Sequence, residues 1–262
     1  MRAGRRGRHE RRPDRRRLRR GVLLGLLIGS CVAVVGALAA TALLASLPEV
    51  GDAQARVGAM LREHGARPVG LPPPKRVTSS LVAVEDQRFY THHGVDLPSV
   101  ARLAWSGLRG DDLHDEGGST IGQQLAKRVY TGDRGGLGVK LRQVGLAVKL
   151  ERRYSKDQIL GMYLDAAYFG GGHWGVVQAS QGYFGRPPGR LSWGEASLLA
   201  GLIQAPSAYD PTAHLAAAEL RQRHVLDRLV AAGVLSRAEA DAAGRGFASE
   251  ARRLGFRTVQ GT

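Results

Sequence analysis

An uncharged apolar segment lies near the start of the chain. Residues 21–47 contain no charged side chain and are rich in Leu, Val and Ala. A helix of these 27 residues is about 40 Å long, which exceeds the ~30 Å hydrocarbon core of a bilayer. A cleaved signal peptide is the alternative, because the segment ends in Ala-rich sequence, although apolar signal regions usually have only about 7–15 residues. The pattern predicts one uncleaved transmembrane helix.

Beyond residue 47, helix-start signals are frequent and alternating β-branched runs are scarce. At four positions a hydroxyl residue stands three places before a Glu or Gln, which is the form of a capping box and predicts that a helix begins there. Apolar residues behind these positions recur at helical spacing, as they do from Ile159 to Leu164. We therefore predict an all-α domain, with helix starts at Thr120–Gln123, Ser155–Gln158, Ser192–Glu195 and Ser236–Glu239.

Changes in composition divide the chain into five segments. Glycine-rich stretches at 132–138 and 170–172 indicate loops between helices, and a Pro triplet at 72–74 lies near the end of a linker-like stretch. More than 200 residues follow the apolar segment, enough for one sizeable core. We expect a basic tail (1–20), the membrane helix (21–47), a juxtamembrane linker (48–76), a core with the polar motifs (77–212) and two C-terminal helices that close this core (213–262).

The net charge of +15 is unevenly distributed. Residues 1–20 hold eleven arginines against Glu10 and Asp14, a local net charge of +9. The positive-inside rule then places this tail in the cytoplasm, against anionic lipid, and the rest of the chain outside. A nucleic-acid-binding arm is the competing interpretation, which is disfavoured because the run adjoins an apolar segment and contains no aromatic residue. The single cysteine excludes an internal disulfide, and the absence of clustered Cys and His residues excludes a zinc module.

The first stretch with candidate chemistry is 85–94, which reads Glu-Asp-Gln-Arg-Phe-Tyr-Thr-His-His-Gly and follows an apolar run. We expect it near the C-terminal end of a helix, on which Glu85, Phe89 and His92 share one face. A carboxylate directly behind an apolar run is a candidate for partial burial and for a general base. A solvated Glu-Asp pair at a helix end is the alternative, and spacing alone favours it.

The second stretch is 117–128, in which a glycine pair leads into a capped helix. The first turn of such a helix presents free backbone N–H groups that suit phosphate or another anion. Ordinary capping explains the same pattern. However, the adjacent Gln123 and Gln124 lie on an otherwise apolar helix and need hydrogen-bond partners, which a sugar would supply.

Taken in order, these stretches resemble the motifs of the family 51 peptidoglycan glycosyltransferases, the transglycosylase domain of penicillin-binding proteins. The first family motif, Glu-Asp-x-x-Phe-x-x-His-x-Gly, matches 85–94, and the second matches 118–127. The fourth matches Glu151-Arg152-Arg153-Tyr154-Ser155-Lys156, and further matches follow at 168–170, 183–185 and 195–207. The resemblance runs from about residue 79 to residue 211.

The resemblance implies a lysozyme-like, mainly helical domain with a small jaw lobe, a larger head lobe and a cleft between them. It also implies polymerisation of lipid II onto a nascent glycan strand, with release of undecaprenyl pyrophosphate, by a single-pass protein of the bacterial cell membrane. Glu85 would be the general base, Asp86, Phe89 and His92 would shape the wall beside it, and Lys127, Lys140 and Arg142 would neutralise the pyrophosphate. Sugar and phosphate oxygens would bind to Ser119, Thr120, Gln123 and Gln124.

The chain departs from the family pattern near the expected pyrophosphate site. The third motif, Arg-Lys-x-x-Glu, falls on residues 139–143, where Val139 replaces the arginine and Gln143 replaces the second acidic residue. Gln is a poorer ligand than Glu for Mg or Mn, so we expect a divalent cation to matter less here and turnover to be slower. The family's Thr, Asn and loop Arg become Gly122, Arg128 and Gly135, and Arg128 and Arg134 are expected to replace part of the positive charge.

Two other functions remain open from the sequence. A weak or inactive relative could bind lipid II or partner proteins of cell-wall synthesis and division as a scaffold, which the replacements at 122, 139 and 143 motivate. A lysozyme-like lytic enzyme would use Glu85, but most glycosidases need a second carboxylate nearby. A serine transpeptidase is excluded, because the chain contains no Ser-x-x-Lys or Lys-Thr-Gly motif.

Overall fold

A computed structural model describes residues 15–102, 118–133 and 135–256. The greater part of the predicted basic tail, and Arg134, lie outside these residues. The described chain forms two compact units, which divide between Ser46 and Leu47. The first unit contains one helix, α1 (Arg15–Ser46), whose residues Gly25–Ser46 have a mean hydropathy of 2.3. The predicted apolar helix is confirmed, and it is long enough to cross a bilayer.

The second unit is helical, as predicted. Each of the four expected capping boxes is present with both of its reciprocal hydrogen bonds. Among the described residues, β-structure is limited to one isolated bridge between Tyr168 and Trp174. The helices are α2 (Ala53–Glu63), α3 (Lys75–Glu85), α4 (helical over 97–102), α5 (Ile121–Ala126), α6 (Leu137–Arg153), α7 (Lys156–Asp165), α8 (Gly175–Phe184), α9 (Trp193–Leu202), α10 (Leu215–Ala231) and α11 (Arg237–Arg253), with a π-helical turn at Lys127–Thr131 and a 3-10 turn at Pro188–Arg190.

The helices of the second unit pack in two groups. In the first, α9 is buried from Gly194 to Leu202 and packs against α3, α10 and α11. In the second, α5 packs against α6 and α7 through side chains such as Leu125, Leu146 and Leu160, all at most 2% exposed. The helix α8 contacts both α7 and α9 and so connects the groups. Glu85, the last residue of α3, therefore belongs to one group, and the capped start of α5 belongs to the other.

The structure differs from the predicted linker over 48–76. This segment contains α2, which buries Ala53, Val57 and Leu61 and packs against α7 and the π-helical turn. These three residues recur every four positions, which is the spacing of one helix face. The short length of α2 and the nearby Pro triplet hid this signal from the sequence interpretation.

Candidate functional site

A groove around Glu85 is the concave feature that the sequence motifs share. A cavity of about 980 Å³ and a smaller one of about 220 Å³ share Glu85, Gly118, Ser119 and Gln123 among their lining residues. The two cavities therefore meet at the end of α3 and the start of α5. A carboxylate at this junction can contact a group bound on either side.

Glu85 is held in place by contacts with two other helices. Its side chain is 14% exposed, and its Oε2 accepts a hydrogen bond of 2.7 Å from Nε2 of Gln124. The amide of Gln124 is oriented in turn by the Tyr163 hydroxyl, which donates to its Oε1 at 2.7 Å. Nη2 of Arg221, on α10, lies 3.9 Å from Oε1 of Glu85. A solvated Glu-Asp pair is therefore wrong, because Glu85 is largely buried and Asp86 is only 7% exposed.

Two of these contacts have no signal in the sequence. Tyr163 was expected as a core residue, and it is indeed fully buried, but its hydroxyl points to the amide beside the base. Arg221 follows the last recognised motif and gave no signal, because an arginine on an amphipathic helix is usually solvated. Gln124 was expected to bind a sugar, whereas both ends of its amide are engaged by protein side chains.

Asp86 connects the end of α3 to the start of α5. Its two oxygens lie 2.9 Å from Nε2 of His92, and Oδ2 also accepts a 3.0 Å hydrogen bond from the backbone N–H of Ile121. Nδ1 of His92 accepts a hydrogen bond from the N–H of Gly94. The ring proton is therefore on Nε2, which donates its hydrogen bond to Asp86. Asp86 also lines the smaller cavity, but its oxygens are engaged by His92 and Ile121, so its observed contacts orient α5 beside Glu85.

The predicted shared helix face of Glu85, Phe89 and His92 is wrong, because α3 ends at Glu85. The chain turns there, and Phe89 becomes fully buried. Nζ of Lys156 lies 4.3 Å from the Phe89 ring centroid and also pairs with Glu151 at 2.6 Å. Phe89 is therefore part of the packing under the groove, not of its wall.

The start of α5 uses Thr120 and Gln123 for its own cap. Oγ1 of Thr120 accepts from the Gln123 N–H and donates to the Gly94 carbonyl at 2.9 Å. Gly94 has φ +90°, and a Cβ there would lie 2.8 Å from the backbone of Ala147, so only glycine fits. Ser119 lines both cavities and accepts a hydrogen bond from Lys140. Of the predicted hydroxyl ligands, Ser119 is the one placed to reach a ligand in the larger cavity.

Among the described residues, three cationic side chains line the larger cavity: Lys127, Arg128 and Lys140. The first two begin the π-helical turn, a local widening that is common at functional sites. Burial, together with the charge of Lys127, lowers the pKa of Lys140. The Arg128 guanidinium lies 4.2 Å from the ring centroid of Tyr163, and its buried Nη1 has no partner within the described protein. An anion in this cavity would supply that partner.

Arg142 does not join these cations. It is exposed on α6 and is not among the residues that line either cavity. Two residues along a helix are separated by about 200°, so the face of α6 that carries Lys140 into the groove directs Arg142 away from it.

Gln143 lines the larger cavity and is 7% exposed. Its Nε2 donates to Oγ1 of Thr131, at the end of the π-helical turn, at 3.1 Å. Besides Glu85, the described carboxylate in this cavity is Asp133, which pairs with Lys127 at 2.7 Å. No group of three His, Cys, Asp or Glu side chains suited to a metal occurs in the described part of the chain. A neutral amide and one paired carboxylate do not fit Mg or Mn, which favour several carboxylate or water oxygens.

Comparison with known proteins places these features in a family. The sequence profile described as "Transglycosylase" matches residues 68–230. Penicillin-binding protein 1F of Bacillus subtilis is 43% identical over 169 residues, which are 64% of this chain and 23% of the relative. A Cupriavidus necator protein with the provisional name transglycosylase is 38% identical over 170 residues, 65% of this chain and 73% of the relative.

Among solved structures, penicillin-binding protein 1A from Haemophilus influenzae is 30% identical, and the match covers 48% of this chain and 15% of that protein. Its TM-score of 0.33 is too low for that structure to define the fold of this chain. This chain spans less than a quarter of the penicillin-binding proteins that it matches.

Proposed function

Because the chain belongs to the transglycosylase family, we propose that it is a peptidoglycan glycosyltransferase that polymerises lipid II into glycan strands. The position of Glu85 at the junction of the two cavities is the observation that carries this proposal. One cavity would hold the lipid II molecule whose 4-hydroxyl attacks. The other would hold the reducing end of the growing strand, which is linked to undecaprenyl pyrophosphate.

Glu85 would be the general base. The acceptor hydroxyl gives its proton to the Glu85 carboxylate while its oxygen bonds to the anomeric carbon, with inversion of configuration. Gln124 supports this role, because its hydrogen bond to Oε2 fixes the orientation of the carboxylate. The other oxygen, Oε1, lies on the side of Arg221 and the groove. Removing a positioned base typically costs about 10²- to 10⁴-fold in rate.

The pyrophosphate would leave into the larger cavity. The bond from the anomeric carbon to the pyrophosphate oxygen breaks, and that oxygen keeps the electron pair. Lys127, Arg128 and Lys140 line this cavity, and fixed positive charges near a developing anion stabilise the transition state. The unpartnered Nη1 of Arg128 supports this assignment.

The pairing of the other carboxylates favours transfer over hydrolysis. A glycosidase uses two carboxyl groups that flank the scissile bond. Besides Glu85, the described carboxylates in the two cavities are Asp86, Asp96 and Asp133. Each of these pairs with a basic side chain at 2.7–2.9 Å. Glu85 has a more distant cation, at 3.9 Å, and remains the residue suited to proton transfer.

We expect catalysis to depend little on a divalent cation. The donor set around Gln143 does not fit a divalent cation, and described residues of the protein supply three cationic side chains instead.

We also propose that the tail is cytoplasmic, that the second unit lies outside the membrane, and that the partners are lipid II, the nascent strand and other proteins of cell-wall synthesis or division.

A polymerisation assay tests the proposal. Full-length protein in detergent is given lipid II with and without Mg²⁺, alongside Glu85→Gln and Gln143→Glu variants. We expect glycan strands from the wild type that do not require the cation, a loss of at least 100-fold in Glu85→Gln, and a gain of cation dependence in Gln143→Glu. Equal rates for wild type and Glu85→Gln would refute the catalytic role. Release of fragments from finished glycan would instead indicate a lytic enzyme.

A further inference from the structure

The six residues that follow the apolar helix are bound to the catalytic unit by side chains from two other elements. Nζ of Lys149, on α6, donates to the carbonyls of Leu47 and Pro48 at 2.9 and 3.3 Å and to Oε1 of Glu49 at 2.8 Å. An ammonium group has three N–H donors, so Lys149 directs all of them to three consecutive residues. The side chain of Lys149 is only 15% exposed.

The next three residues are held in the same way. The hydroxyl of Tyr154, at the end of α6, lies 3.0 Å from the carbonyls of both Val50 and Gly51. The hydroxyl of Tyr130 donates to Oδ1 of Asp52 at 2.8 Å. Burial, and then the hydrogen bond to Asp52, raise the pKa of Tyr130 above its ordinary range, so the protonated, donating form is favoured further. We call residues 47–52 with Lys149, Tyr154 and Tyr130 the juxtamembrane clamp.

Two helical elements connect the clamp to the groove. The helix α6 carries Lys140 and Gln143 into the larger cavity and Lys149 into the clamp. Lys149 lies nine positions after Lys140 on this helix, a distance of about 14 Å along its axis. The π-helical turn makes a second link, because it begins with Lys127 in the cavity and carries Tyr130 on Asp52.

We propose that Lys149 and Tyr154 are positioning residues, which shorten the free chain between the apolar helix and the catalytic unit and so raise the effective concentration, at the cationic groove, of a pyrophosphate anchored in the same membrane. This inference rests on the function proposed above. A released segment of six residues could extend to a length of about 20 Å. Since a lipid pyrophosphate is confined to the membrane surface, added travel lowers its effective concentration at the groove.

The test compares two substrates with the full-length protein in liposomes. One is lipid II with its long prenyl chain in the bilayer, and the other is a water-soluble analogue with a short prenyl chain. The variants are the double substitution Lys149→Met with Tyr154→Phe, and an insertion of six Gly and Ser residues between Ser46 and Leu47. The insertion adds slack and leaves the catalytic unit unaltered. Arg152→Met, an exposed change on α6, is the matched control.

We expect both variants to polymerise the long-chain substrate about three- to tenfold more slowly and the soluble analogue within twofold of the wild-type rate. The control should match the wild type on both. Equal losses on the two substrates, or an insertion without effect, would overturn the positioning role.

Hydrogen exchange at residues 47–53 tests the clamp without any activity. The double variant should exchange faster there than the wild type, and unchanged exchange would contradict the clamp. A wild type that polymerises neither substrate would refute the proposed function, while the exchange result would still decide the clamp.

Discussion

Gln124 donates from Nε2 to Oε2 of Glu85 at 2.7 Å, across 39 residues of sequence. The opposite end of this amide accepts the hydroxyl of Tyr163, which determines that the nitrogen, not the oxygen, faces the carboxylate. If Oε1 of Gln124 faced Glu85, two hydrogen-bond acceptors would repel each other. The buried tyrosine thus controls the orientation of the candidate base.

Tyr163→Phe should therefore slow catalysis without removing any group that contacts substrate. We expect kcat to fall about tenfold, the equivalent of one hydrogen bond of ~1.4 kcal/mol, with little change in KM. Steady-state kinetics on lipid II measure both constants. The control is Tyr183→Phe, which also loses a buried hydroxyl, bonded to the Phe169 carbonyl at 3.1 Å, and which is not among the residues that line either cavity. A similar loss of kcat in the control would show that the lower kcat of Tyr163→Phe results from general destabilisation.

Glu85 and Asp86 are neighbours in sequence with different expected roles. Asp86→Ala leaves the buried Nε2–H of His92 and the Ile121 N–H without their acceptor, and each buried donor left unsatisfied costs about 1–3 kcal/mol. Glu85→Gln preserves shape and should unfold near the wild-type temperature while losing activity. Thermal unfolding of the full-length variants in detergent distinguishes them. An Asp86→Ala protein with wild-type stability and only a raised KM would show that Asp86 binds substrate instead.

Gly122 is a site where substitution should stabilise the protein. It is the second residue of α5, and a Cβ there would meet Ala147 Cβ at 3.4 Å and Glu151 Oε1 at 3.8 Å, which are ordinary contacts. That Glu151 oxygen is buried without a partner. Gly122→Ala should gain roughly 0.5 kcal/mol, less than the ~1 kcal/mol of a helix interior, because the position lies in the first turn. Gly122→Ser should exceed Gly122→Ala by roughly 1 kcal/mol, because its hydroxyl can donate to the charged oxygen.

Denaturant unfolding compares these two variants directly. A serine variant no more stable than the alanine variant would mean that the hydroxyl does not reach Glu151.

Asp165 should make stability depend on pH. It is 8% exposed, accepts one hydrogen bond from the Val69 N–H, and lines an apolar cavity with Val57 and Met162. Burial raises the pKa of Asp165 from 3.8 to about 6. Since the folded-state pKa is above the unfolded one, the neutral acid favours folding. That contribution is complete below about pH 4 and is lost as the pH rises through 6.

Asp165→Asn keeps an acceptor for Val69 and removes the charge. We expect it to be more stable than wild type at pH 7.5 by about 3 kcal/mol, from ~1.4 kcal/mol per pKa unit, and to show a flatter stability curve between pH 4 and 6. Unfolding temperatures over this pH range measure the effect, with the exposed Asp241→Asn as control. A parallel pH curve for wild type and Asp165→Asn would rule out this titration.

The elements that sequence analysis predicted well depend on nearby residues. A capping box is formed by side chains three positions apart, so Ser155 and Gln158 determine the start of α7 whatever packs against it. The apolar helix α1 is similarly a property of one uninterrupted segment. The helix α2 was missed because its signal is only three small or medium apolar residues in a stretch with many polar ones.

The helical class, the apolar helix, the family and the position of Glu85 at the end of a helix all follow from the amino-acid sequence, because each depends on local spacing or on ordered motifs. Which motif residues face the groove depends on the folded arrangement. Phe89 and His92 are buried in the packing beneath the groove, Arg142 points away from the groove, and Arg221 lies beside the Glu85 carboxylate. The physical reason is that orientation toward a cavity depends on how helices far apart in sequence pack together, which the spacing of residues along one helix does not determine.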